Sequence, residues 1–205
     1  MIMATLFALP NELVISSICS RYPCRDQQIR SLLTLLSVRI ASFPPLTEQT
    51  LIRYSTQIRA ASSRNIVIHG LEATGKSAVT KTVLEALSST TNSTSENEAP
   101  EELRYAIVRS VECIGGRHLL EQTVGTVAKA LEWRGAVARC ENISQLVVQL
   151  GRLLENWTAD TEDPGRRRFA VVFDGIDKQR DAPPTLLPAL ARMSEVVSRG
   201  HRNPK

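Results

Sequence analysis

The sequence predicts an α/β domain built on a parallel, three-layer sheet, with a helical segment ahead of it. Three observations carry that expectation. Short apolar runs alternate with helical stripes, a glycine-rich turn follows one run, and another run ends in an aspartate. Strands separated by helices pair in parallel and are buried on both faces, which is why such runs are apolar rather than alternating.

Taken in order, residues 1–64 form the helical N-terminal segment. Ile29, Leu32, Leu33 and Leu36 recur at helical spacing after the break at Pro23. Pro44 and Pro45 mark a turn, and Leu51, Ile52 and Ile58 suggest a further helix opened by Thr47. Core packing is sufficient reason for these stripes. At Asn65 the pattern changes, and residues 65–205 form a partial second domain. Ile66, Val67, Ile68 and His69 make a short run that ends at Gly70, the signature of a buried strand. Val79, Val83, Leu84 and Leu87 then share one helical face. Residues 88–102 are polar and without apolar period, so a flexible surface loop is expected there.

A second strand covers Tyr105, Ala106, Ile107 and Val108, and Leu120, Val124, Val127 and Leu131 give the next helix. Asn142 with Gln145 forms a capping box ahead of Ile143, Leu146, Leu150 and Leu154. The third strand runs from Phe169 to Phe173 and delivers Asp174. Leu186, Leu190, Met193 and Val197 define the last helix, followed by a basic tail. No internal repeat is visible.

Composition narrows the class without naming a function. Of 205 residues, 42% are hydrophobic and 22% charged, ordinary values for a globular chain. Lys and Arg number 25 against 21 acids, a net charge of +4 that is weak evidence for a nucleic-acid partner. Cys19, Cys24, Cys113 and Cys140 lack metal-ligand spacing, with His118 alone near Cys113, and are expected as free thiols. Sequons at Asn92, Asn142 and Asn156 follow no basic, apolar leader, and no run reaches the ~20 apolar residues of a membrane span. An intracellular, soluble protein with no membrane partner is therefore expected.

The chemistry is concentrated in Gly70, Leu71, Glu72, Ala73, Thr74, Gly75, Lys76 and Ser77, which fit G-x-x-x-x-G-K-[ST] without mismatch. This is the P-loop, and it predicts binding of ATP with Mg²⁺. Its glycines let successive N–H groups converge on a phosphate, and the following helix adds its N-terminal N–H groups and dipole. Lys76 supplies a cation for the β- and γ-phosphates, and the Ser77 hydroxyl a magnesium ligand. An incidental glycine turn with an exposed lysine would not require a strand before it and a helix after it. Asp174, at the end of an apolar strand, is the expected second magnesium ligand, because the C-terminal ends of parallel strands share one edge. Hydrolysis also needs a group to position or deprotonate water, worth about 10²–10⁴ in rate. The residue after Asp174 is Gly175, which transfers no proton, and Asp177 is better placed as a capping acid. No catalytic residue is assigned.

IVIHGLEATGKS, YAIVRSVECIGGRHLLEQTVG and FAVVFDGIDKQRDAPPTLLPAL together resemble the subunit-5 family of the eukaryotic origin recognition complex, in its fungal form, within the AAA+ initiators. RYPCRDQQIRSLLTLL resembles the segment ahead of the core in the same family. The resemblance spans most of residues 21–195, sparing 88–102. It implies a AAA+ fold, a nuclear location and an assembly with other origin recognition complex subunits. That assembly binds origin DNA and helps to load the replicative helicase. It also implies ATP bound for structural purposes, since hydrolysing AAA+ proteins carry Glu where this chain has Gly175. By the same resemblance Tyr22, Pro23 and Arg25 lie near the adenine. The family continues into further sheet strands, sensor residues, a lid and a winged helix, so a core incomplete at its C-terminus is expected.

Two other readings remain on the residues alone. An active AAA+ ATPase of the helicase-loader type is opposed by Gly175. A P-loop kinase would need an acceptor region and an arginine-rich lid that cannot be identified. Arg166, Arg167 and Arg168 are better taken as a solvated loop ahead of a strand.

Overall fold

The computed structural model describes residues 12–37, 65–90, 102–159, 167–179, 181 and 183–200. The expected helix at Thr47 to Ile58 lies outside them, as do the Pro44 turn and the basic tail. The chain divides into two compact units, Met1–Thr90 and Thr91–Lys205.

The first unit packs three helices: α1 (Glu12–Arg21), α2 (Asp26–Ser37) and α3 (Lys76–Thr90). Arg21 and Asp26 flank a sharp turn in which Cys24 adopts φ 63°. The helical stripes converge here as their spacing predicts. Ile15 and Ile18 from α1, Ile29, Leu32 and Leu33 from α2, and Val83, Leu84 and Leu87 from α3 are buried. Removing a fully buried leucine such as Leu33 or Leu84 costs about 2–5 kcal/mol in comparable cores.

The segment ahead of α3 departs from expectation. Residues 65–70 form no strand, and Val67 is 83% exposed and Ile68 44%. A strand persists only where a neighbour takes up its N–H and C=O groups. Among the described residues of this unit no strand is found. The β-branched run thus has the composition of a strand without a ladder.

The second unit holds the sheet, β1 (Glu102–Arg109) and β2 (Arg167–Asp174), paired in parallel from Glu102 opposite Arg167 to Arg109 opposite Asp174. Parallel neighbours require a crossover, supplied by α4 (Gly116–Ala130) and α5 (Ile143–Ala159). A last helix, α6 (Leu186–Gly200), packs on α5. Two strands are thus observed among the described residues where three were expected. Ala106 and Val108 of β1 and Phe169, Val171 and Phe173 of β2 meet a core of Leu119, Leu120, Val124, Val127, Leu146, Leu150 and Leu190. The Asn142 cap forms, Gln145 N–H donating to Asn142 Oδ1 at 2.9 Å, while the Gln145 side chain reaches back one residue beyond the cap, its Oε1 accepting from Glu141 N–H at 2.8 Å.

Two boundaries are corrected. Ser88 to Thr90 continue α3 and Glu102 opens β1, so only the interior of the expected 88–102 loop lies outside the described residues. Arg167 and Arg168 belong to β2 rather than to a solvated loop. Arg167 donates to the Trp157 carbonyl, pairs with Glu102 at 3.1 Å and lies 5.4 Å from the Trp157 ring centroid. Arg104, also paired with Glu102, at 2.6 Å, lies 5.8 Å from the same ring. Shared charge and an aromatic face hold arginines that composition alone would leave in water.

Candidate nucleotide site

The glycine-rich segment forms a tight loop that runs directly into α3. Three of its residues have positive φ: Gly70 (149°), Ala73 (58°) and Gly75 (80°). At Gly75 the left-handed backbone excludes most side chains, and nothing lies within 4 Å of where a β-carbon would stand. Backbone geometry, not crowding, requires this glycine. Its carbonyl accepts from Val79 N–H at 2.9 Å, so Gly75 opens the helix whose first residue is Lys76. Ala73 holds the same region of φ with a β-carbon, a conformation found mostly in tight turns and functional loops.

Lys76 folds back over the loop. Its Nζ donates to Gly70 O at 3.0 Å and to Leu71 O at 2.6 Å, and Thr74 Oγ1 donates to Leu71 O at 2.8 Å. An ammonium has three N–H groups, so one remains for a phosphate oxygen. Ser77 is exposed in the first turn of α3, where helical N–H groups lack intrahelical acceptors. These features fit a bound polyphosphate: a tight turn of positive-φ residues, a positive helix end and a cation at one locus.

Asp174 closes β2 as anticipated and is half-buried. Gly175 follows at φ 66° and starts the 3₁₀ turn Ile176–Lys178. Residues 70–77 belong to the first compact unit and Asp174 to the second. The structure therefore assembles the loop and its lysine and serine within one unit.

A contact from the N-terminal helices was beyond the reach of sequence spacing. Arg25 Nη2 donates to Thr74 O at 3.0 Å across 49 residues, and Tyr22 Oη lies 2.9 Å from Thr82 Oγ1 of α3. Resemblance alone had singled out Tyr22 and Arg25, and no local pattern signals either partner. Among the described residues no group of three His, Cys, Asp or Glu could hold a metal ion, and the four cysteines are unpaired with one another.

A phosphate loop at a helix N-terminus, in a chain that also carries a parallel strand ending in aspartate, is the pattern of a P-loop NTPase. The family model for the AAA ATPase domain matches residues 47–201, well over half of the chain. The protein belongs to that family. Comparison with curated proteins and with solved structures gave no match in either case.

Proposed function

We propose that the chain is an ATP-binding, non-hydrolysing subunit of an origin recognition complex. The carrying observation for nucleotide binding is Lys76 drawn over a loop that feeds straight into α3. ATP places its β- and γ-phosphates against residues 70–77, with Lys76 balancing their charge. Ser77 would be the Mg²⁺ ligand of this unit, and Asp174 is the further ligand proposed from its place at a strand end; the ion would supply charge neutralisation for the phosphate oxygens. Gly175 supports binding without turnover, since it can neither orient nor deprotonate a water.

The finer assignment rests on the resemblance of the three segments around residues 66–77, 105–125 and 169–190 to the subunit-5 family. In this reading the protein works in the nucleus, among other origin recognition complex subunits. Origin DNA is then bound by the assembly. The segment itself carries a net charge of only +4, too little clustered charge for tight phosphate tracking.

Thermal melts with and without MgATP test the first part. A ligand at one hundred times its dissociation constant adds about 2.7 kcal/mol, so the wild-type midpoint should rise and that of Lys76→Ala should not. Equal behaviour of the two proteins rejects the site. Co-expression with the other subunits, followed by size-exclusion chromatography, tests the second part. Failure to co-elute rejects the assembly.

A further inference from the structure

We propose that Arg25 is a positioning residue for the phosphate loop, acting through the peptide that joins Thr74 to Gly75. This rests on the reading of residues 70–77 as the nucleotide site.

The argument begins with how Arg25 is anchored. Cys24 takes φ 63° and turns the chain out of α1. Arg25 then caps α2, its carbonyl accepting from Ile29 N–H at 2.9 Å. Its main chain is therefore fixed by a helix whose residues Ile29 and Leu33 are fully buried. Tyr22, on the other side of the turn, is tied to α3 through Thr82. The hairpin of α1 and α2 thus packs against the same helix that the phosphate loop feeds, and Arg25 spans from one to the other.

The second step concerns the peptide plane. No peptide bond among the described residues is cis, so the Thr74 carbonyl and the Gly75 N–H point in opposite directions. A guanidinium holding the carbonyl on the hairpin side turns the Gly75 N–H away from the hairpin. At Gly75, with φ 80° and open space around it, the backbone has wide freedom to rotate. A charged donor on the preceding carbonyl removes that freedom. The amide is then presented to the phosphate before the ligand arrives, and binding need not supply the ordering.

Isothermal titration of the full chain with two probes separates this role from a contact to the base. One probe is MgATP and the other is magnesium tripolyphosphate, which has no base or sugar. Arg25→Ala should weaken both by the same factor, about tenfold for the loss of a charged hydrogen bond. Arg25→Lys, which keeps a donor on a long stem and leaves the hairpin packing intact, should recover part of the loss for both. Tyr22→Phe, which removes only the Thr82 tether, should change tripolyphosphate binding far less. A loss confined to MgATP, with tripolyphosphate unaffected, overturns the inference and places Arg25 at the base. No loss for either probe overturns it as well. If wild type and Lys76→Ala bind tripolyphosphate alike, the nucleotide site itself is wrong, a failure distinct from the other two.

Discussion

A β-carbon at Gly175 would stand 3.1 Å from Cγ2 of Val111, and Gly175 itself has φ 66°. Val111 sits in the 3₁₀ turn Ser110–Glu112 that leaves β1, and Gly175 in the turn that leaves β2. The two turns therefore pack against each other where the strands end. Gly175→Ala should lower stability by ~1–2 kcal/mol, from the left-handed backbone and the tight approach together. Chemical denaturation of the two proteins measures it, and equal midpoints would show that the turn relaxes freely.

The same geometry bears on catalysis. Gly175→Glu restores a carboxylate after Asp174 but forces a side chain onto a backbone that disfavours one. We expect bound ATP to persist in the wild type, and Gly175→Glu to remain inactive. Single-turnover measurements in an assembly whose other ATP sites are disabled provide the check. Lys76-dependent turnover by the wild type would favour an active ATPase of the helicase-loader type.

Backbone protection should differ sharply between two apolar runs. Tyr105 to Val108 lie in β1, where every second amide faces the ladder with β2, whereas the amides of Ile66 to His69 lie in an irregular, largely exposed segment. Hydrogen exchange of the isolated chain should be fast at 66–69 and slow in β1. Comparable protection in both would mean that residues 66–69 had found a strand partner.

Trp157 links the arginines at the opposite end of the sheet. Its ring packs edge-on against Phe169, with centroids 6.0 Å apart, and faces Arg104 and Arg167. Trp157→Ala should cost ~2–3 kcal/mol, combining lost apolar burial with two cation–π contacts. Double substitution with Arg167→Ala should be less than additive, because each change removes the same contact. Strict additivity would show the guanidinium to be idle.

The thiols should react in a fixed order. Burial, reinforced by Glu112, raises the Cys113 thiol above its ordinary value, and burial with a smaller effect of Glu121 raises Cys140. Both remain protonated at neutral pH, and the thiol rather than thiolate form is poorly nucleophilic. Cys24 is exposed and should alkylate first. The sign for stability follows: this contribution is complete below the unfolded thiol value and is lost as pH rises through the folded one. Mass spectrometry after timed alkylation tests the order, and early modification of Cys113 or Cys140 would contradict their burial.

Much of this protein was legible in local pattern. The helices around Leu33, Leu84, Leu120, Leu146 and Leu190 follow from apolar spacing, because one buried face is all that a helix requires. The phosphate loop follows from residues 70–77 alone, since glycines, lysine and serine act within one turn of chain. The Asn142 cap is equally local. Tertiary structure decided the rest. Whether Ile66 to His69 form a strand depends on a neighbour that supplies the ladder, and no run of residues carries that information. Arg167 lies in a strand because Glu102, distant in sequence, receives its charge beside the ring of Trp157. Arg25 meets Thr74 because a buried hairpin carries it across 49 residues. Local sequence sets which groups can make an interaction, and packing sets which of them meet.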